Sequence, residues 1–256
     1  MPYAMLVQHL FAALFLVLVP AAMARYELQL KLFTSSERRM AWYRSTAVTL
    51  WLLAIAAVLL AYPVDVLVLA DRVSVASWFG AHPAVFLVVL VLSTAYVWLA
   101  LWQGLKIGLN PALRARIAKA MRAARFAFPV TPNERRWWIL VSLSAGVCEE
   151  TLYRGFAMHY FSGSLSAAIP LGTVGAWLAS SAFFGFAHAY QGTAGIIRST
   201  VGGLVLGAIT LLSGGLLLPI ALHFLFDLQI LWMYRPMVDE PDAAARLIEG
   251  CEPSAP

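Results

Sequence analysis

Apolar residues in this chain gather into long continuous runs, and short polar or basic gaps separate them. Seven runs stand out, at about 4–23, 45–62, 83–105, 137–160, 168–190, 199–212 and 216–234, each dominated by Leu, Val, Ala, Ile and aromatic residues. A helix needs roughly 20 apolar residues to cross a hydrocarbon core of ~30 Å. The pattern therefore predicts an all-α, polytopic transmembrane helical bundle of about seven spans, with six to eight as its range. Gly214, Gly215 and Pro219 form a turn signal between the last two runs, whose boundary is the least distinct. The first run closes on Ala21, Ala22 and Ala24, which imitates a signal-peptide cleavage site. With no Lys or Arg before Arg25, it reads as a retained first helix. A short extra helix is predicted between Arg114 and Arg125, where Ala and basic residues recur at helical spacing.

The charges that fall in the gaps set the orientation. Residues 25–44 hold Arg25, Lys31, Arg38, Arg39 and Arg44, and residues 106–136 hold eight Lys and Arg, whereas residues 63–82 hold only Arg72. Basic loops stay cytoplasmic, which puts the N-terminus outside and the C-terminal tail inside. Composition agrees, because 61% of the 256 residues are hydrophobic and 12% are charged, about half the charged share of a soluble domain. The formal net charge of +5 is then topogenic and does not point to nucleic acid, since no exposed aromatics interleave with the basic residues. The basic segment 114–125 could rest on an anionic membrane face or serve as a solvated linker. Cys148 and Cys251 are too few for a disulfide framework or a thiolate metal cluster. The chain divides into N-terminal transmembrane helices with basic cytoplasmic loops (1–134), a helical core that holds the chemistry (135–236), and an acidic tail expected to be disordered (237–256). A multi-pass protein of the cell membrane is expected, and the Ala- and Arg-rich composition suggests the inner membrane of a bacterium.

From residue 137 onward the spans contain Glu149, Glu150, Arg154, His159, His188, Arg198, His223 and Asp227, while the earlier spans hold almost nothing ionisable. A charged side chain at bilayer depth costs roughly 2.5–3.5 kcal/mol on insertion scales, so such a group implies mutual partners or a water-filled cavity, and with it a function. Glu150 and Arg154 are four residues apart on one helix face and are expected to neutralise each other as a structural pair. Glu149 is turned about 100° away and stays free to act as a base. His188 closes the fifth run with Phe184 one turn earlier on the same face. A lone His at a helix end is also the ordinary interfacial residue, the reading given to His9 and His82. His223 and Asp227 are again four apart, so Asp227 could accept a hydrogen bond from one imidazole nitrogen and fix the tautomer; equally, the two could be a buried pair holding the last helix. Gly203 and Gly207 let the sixth helix pack closely. Three helices thus contribute Glu149, His188, and His223 with Asp227, a set suited to holding a water, removing its proton and stabilising an oxyanion. The same residue types match zinc ligands, although no His-Glu-x-x-His helix is present. Depth is a strain on this picture, since Glu149 lies about 18 Å into its run while His188 falls near a cytoplasmic end. Either the fourth helix begins below the membrane surface or a water-filled cone reaches mid-depth.

The succession Glu149-Glu150-Thr151-Leu152-Tyr153-Arg154, then Phe184-x-x-x-His188, then His223-x-x-x-Asp227 resembles the three ordered motifs of the CPBP family, the CAAX prenyl endopeptidases and bacteriocin-processing or immunity proteins of Abi type. The resemblance covers roughly residues 137–234. It implies an intramembrane endopeptidase that hydrolyses a peptide or protein substrate at the lipid bilayer, through a membrane-associated segment or a C-terminal signal. By position it implies that Glu149 and His188 activate the attacking water, that His223 and Asp227 hold the substrate carbonyl or its oxyanion, and that Glu150, Arg154 and Phe184 support them. Members of the family are described both as metalloproteases and as metal-free, glutamate-type enzymes. No cofactor is expected here, with a divalent metal such as zinc as the alternative. The last motif position is Asn or Asp in the family. As a carboxylate Asp227 would repel an oxyanion, so it is expected to act by orienting His223, which then donates. A proton-coupled membrane transporter, or a non-catalytic membrane scaffold or immunity protein, would bury similar groups and stands as the competing reading.

Overall fold

The computed structural model describes residues 2–30, 35–61, 79–120, 127–165 and 172–234, and all regular elements among them are helices. The first apolar run is one continuous helix made of α1 (Pro2–Ala13), a π-helical segment Leu14–Leu18 and α2 (Val19–Leu30). It is followed by α3 (Ser36–Ala61), α4 (Pro83–Leu109) and the short α5 (Pro111–Ala120), which answers to the predicted extra helix. A second composite helix runs through α6 (Pro132–Glu150), a π-helical segment Thr151–Ala157 and α7 (Met158–Leu165). The chain then forms α8 (Gly172–Ala187), α9 (Thr193–Ser213), α10 (Leu217–Leu228) and α11 (Ile230–Met233).

Four stretches are long and apolar enough to cross a bilayer: Met5–Arg25, Ser36–Ala61, Pro83–Leu109 and Thr193–Ser213. Gly172–Ala187 and Leu217–Met233 are shorter apolar helices, and the remaining run is the composite helix from Pro132 to Leu165 that carries Glu149, Glu150 and Arg154 midway. This is the helical membrane bundle anticipated from the apolar runs. On α4 the side chains of Leu87, Val88, Leu92 and Trp98 are exposed, as lipid-facing residues should be. The expected turn between the last two runs is present, with Gly214 at φ 69°, a left-handed cap that a residue with a β-carbon seldom adopts. The C-terminal tail 237–256, expected to be disordered, lies outside the described residues.

Two boundaries depart from the hydropathy reading, and each departure has a polar cause or consequence. Helix α3 begins at Ser36, nine residues before its apolar run, because its charged opening is tied down: Arg39 Nη2 pairs with Glu134 Oε1 at 3.0 Å, and the Tyr43 hydroxyl donates to the Ala127 carbonyl at 2.7 Å. Glu134 is fully buried and also closes a capping box at the start of α6. Its nitrogen donates to Thr131 Oγ1 at 3.2 Å, while its Oε2 accepts from the Val130 and Thr131 nitrogens at 2.6 and 3.0 Å. Burial by itself would raise the Glu134 carboxyl, but hydrogen bonds from Ser36, Val130, Arg39 and Thr131 outweigh it and hold the group below its ordinary value. Around this knot pack Met40, Trp42, Tyr43, Phe128, Trp138 and Tyr234. The second departure is the early start of α6 at Pro132, together with an α8 of 16 residues, roughly 24 Å and so shorter than a ~30 Å core. Helix α8 packs on the middle of the fourth span, the Ser180 hydroxyl donating to the Tyr153 carbonyl at 2.6 Å.

Two contacts then bring the chemistry-bearing helices together. Helices α6 and α10 run antiparallel, with Trp138 Nε1 donating to the Asp227 carbonyl at 3.0 Å. One turn before the glutamate pair, a β-carbon at Gly146 would stand 3.0 Å from the Ile220 carbonyl oxygen and 3.2 Å from the Phe224 nitrogen, so only glycine lets the two backbones approach this closely. On the other side Leu152, Tyr153, Phe156 and Ala157 of the π-helical segment form one apolar cluster with Phe11, Phe15 and Leu16 of the first span and Phe184 of α8.

Candidate active site

Glu149 and Glu150 end α6 at the point where the backbone widens into the π-helical segment. Such widening inserts one extra residue into a turn and is frequent at functional sites. Here it leaves the Tyr153 carbonyl accepting from the Met158 nitrogen and from the Ser180 hydroxyl of α8 at 2.6 Å. Arg154, inside the widened turn, reaches back with Nη1 to Glu150 Oε1 at 2.8 Å and across with Nη2 to the Gly203 carbonyl of α9 at 3.2 Å. Its guanidinium also lies over the Phe184 ring, 4.4 Å from the centroid. The Glu150 and Arg154 pair expected from their spacing is therefore formed, and both side chains are buried.

His223 corrects two expectations at once. Its Nδ1 donates to Glu150 Oε1 at 2.7 Å, whereas Asp227 makes no hydrogen bond to it: Asp227 Oδ2 stands 3.8 Å from Nε2, the same separation as Glu149 Oε2. The i,i+4 spacing does put Asp227 on the face of His223. The close approach at Gly146, however, delivers the Glu150 carboxylate across the helix interface to the nearer nitrogen. Glu150 is thus more than the structural partner of Arg154, since a single oxygen serves both the guanidinium and the imidazole. Glu149, one helical step round from Glu150, faces the other nitrogen of the same imidazole. Its side chain is 18% exposed, and its Oε2 is buried without a hydrogen-bond partner. Asp227 is the most open of the group, with 38% of its side chain exposed.

His188 sits just past the end of α8, where its Nδ1 donates to the Phe184 carbonyl at 2.8 Å. With that proton fixed on Nδ1, the neutral ring carries its free lone pair on Nε2. The ring packs between Phe184, at 4.8 Å between centroids, and Tyr190, at 5.9 Å. Phe184 meets His223 edge-on at 5.8 Å and so touches both histidines. Asp227 and His223 are both within electrostatic reach of His188. Glu149, Glu150, Arg154, Phe184, His188, His223 and Asp227 therefore share one neighbourhood on four helical segments. His9 lies apart from it and pairs through Nδ1 with the Tyr160 hydroxyl at 2.8 Å, and His82 caps the start of α4. Single-sequence spacing missed the Glu150 contact with His223; the signal available was Gly146, a small residue one turn before a charged pair on an apolar helix.

A zinc site would need at least three convergent ligands. Among the described residues no group of three or more His, Cys, Asp or Glu side chains is gathered as an ion site. His188 and His223 have each committed Nδ1 to a protein acceptor.

Residues 131–229 match the model of a protein family described as type II CAAX prenyl endopeptidase Rce1-like, an interval that contains every residue of the site. No curated protein and no solved structure matches the chain. Over residues 131–229 this multi-pass helical membrane bundle is thus similar to the type II CAAX prenyl endopeptidase Rce1-like family.

Proposed function

We propose that the protein is an intramembrane endopeptidase in which Glu149 and His188 activate water while His223, assisted by Asp227, receives the oxyanion. The observation that carries this reading is Glu149 Oε2, buried, without a hydrogen-bond partner and 3.8 Å from His223 Nε2; the free Nε2 lone pair of His188 lies in the same neighbourhood. A water held between them loses a proton to Glu149 as its oxygen bonds to the scissile carbonyl carbon. The carbonyl oxygen takes up the electron pair and is met by His223 Nε2. The tetrahedral intermediate then collapses, the C–N bond breaks, and the proton taken from water passes to the departing amine nitrogen.

The Glu150 contact constrains how His223 can do this. Because Nδ1–H is given to a carboxylate, Nε2 can donate to an oxyanion only when the ring carries both protons. Glu150 on one side and Asp227 on the other supply the counter-charge for that imidazolium, which gives Asp227 a use that does not require it to touch the oxyanion. The substrate is a peptide or protein segment presented at the membrane. Comparing the membrane proteomes of wild-type and Glu149→Gln cells tests the reading: uncut precursors should accumulate in the variant, and identical proteomes would count decisively against a protease.

A further inference from the structure

Tyr153 carries a hydroxyl that this mechanism leaves unused. The residue is buried in the π-helical segment, its ring meeting Phe184 at 5.1 Å and Phe15 of the first span at 5.5 Å, both edge to face. Its carbonyl is taken by Ser180, but among the described residues its hydroxyl has no hydrogen-bond partner. The Tyr43 hydroxyl, buried in the same bundle, donates to the Ala127 carbonyl. A phenol carried inside a bundle unbonded has given up its hydration for nothing, unless a partner arrives there during turnover.

Helical register puts Tyr153 beside the water-activating carboxylate. Glu150 and Arg154, four residues apart, bridge directly at 2.8 Å. Glu149 and Tyr153 are the same spacing shifted back by one residue, so Tyr153 follows Glu149 by one turn on the adjoining face. Glu149 and Arg154 are both within electrostatic reach of the hydroxyl. The Phe184 ring, which Tyr153 meets, also touches His188 and His223. The unbonded phenol therefore belongs to the same neighbourhood as the groups that act on water and on the oxyanion.

We infer that Tyr153 is the general acid that protonates the departing amine nitrogen. This rests on the peptidase reading. An amide nitrogen leaves readily only as an amine, so the C–N bond must break while the nitrogen gains a proton. As the tetrahedral intermediate collapses, the phenolic proton of Tyr153 passes to that nitrogen, which keeps the electron pair of the breaking bond, and the oxyanion reforms the carbonyl. The phenol oxygen is then reprotonated from the Glu149 carboxyl, which holds the proton taken from water. Glu149 ends as a carboxylate and Tyr153 as a phenol, and one water has been consumed. A phenol suits this step because it keeps its proton at neutral pH and so arrives at each turnover as a donor.

The test uses purified full-length protein and two prenylated peptides that differ only at the scissile bond, one an amide and the other a thioester with sulfur in place of the N–H. A thiolate departs without a proton, so only the amide calls on the acid. Tyr153→Phe should lower kcat on the amide by about 100-fold or more with KM unchanged, and should stay within about threefold of wild type on the thioester. Its thermal midpoint should be no lower than that of wild type, since no bond in the resting protein is lost. Equal losses on the two peptides, a rise in KM alone, or full activity on the amide overturns the assignment while leaving the peptidase reading standing. So does a lowered thermal midpoint, which would give the hydroxyl a structural partner. A wild type that leaves the amide peptide uncut overturns the peptidase reading and this inference with it.

Discussion

Glu150 Oε1 accepts both from His223 Nδ1 and from Arg154 Nη1, and at this scale the structure differs most from what spacing suggests. Charges four residues apart on one helix are easy to pair on paper, and for Glu150 with Arg154 that pairing is correct. For His223 the same rule selects Asp227, which sits 3.8 Å from the far nitrogen, because spacing within a helix carries no information about a carboxylate arriving from the next one. The two carboxylates are therefore distinguishable by substitution. Glu150→Gln removes the counter-charge that holds the imidazole and should lower kcat about 100- to 1000-fold with little change in KM, the range for losing an oxyanion donor. Asp227→Asn places an amide near Nε2 that can itself donate, and it should stay within about tenfold of wild type. Purified variants assayed on one peptide decide the matter. If Glu150→Gln is fully active and Asp227→Asn is dead, the roles given to the two carboxylates are reversed.

Among the elements, the apolar runs were legible because lipid imposes long uninterrupted hydrophobic stretches on any helix that crosses it. Helix ends were less so. The opening of α3 is rich in charge and reads as loop, yet Arg39 and Glu134, 95 positions apart in sequence, hold it in the helix. The π-helical segment Thr151–Ala157 was not legible at all: it contains no proline, and its signature is a backbone hydrogen-bond pattern. Glu134 allows the packing of α3 on α6 to be tested through pH. Its carboxyl is held below the ordinary glutamate value of about 4.3, so its contribution is complete above that value and is lost as pH falls through the depressed one. Glu134→Gln should lower stability in detergent by about 1–3 kcal/mol at neutral pH, and the gap to wild type should close as pH drops below about 4. A gap that stays constant down to acid pH would mean that Glu134 acts by shape alone.

For the whole molecule, the candidate residues could be picked out of the sequence and their mutual geometry could not. Glu149, His188, His223 and Asp227 could be named because ionisable residues stand out against an apolar background, and all four occupy one neighbourhood. Which oxygen faces which nitrogen depends on the closeness of α6 to α10 at Gly146 and on the position of Phe184, and both are products of tertiary packing. The bundle also holds Glu149 in a setting that would suit a proton-coupled carrier as readily as a hydrolase, so the central claim turns on whether a bond is broken. The most direct measurement is cleavage of a prenylated peptide ending in a Cys-aliphatic-aliphatic-X tail by purified protein in detergent, where no proton gradient exists. The wild type should release the tail, and Glu149→Gln, with an unchanged thermal midpoint, should be slower by at least about 100-fold. Cleavage by Glu149→Gln at the wild-type rate would contradict the account.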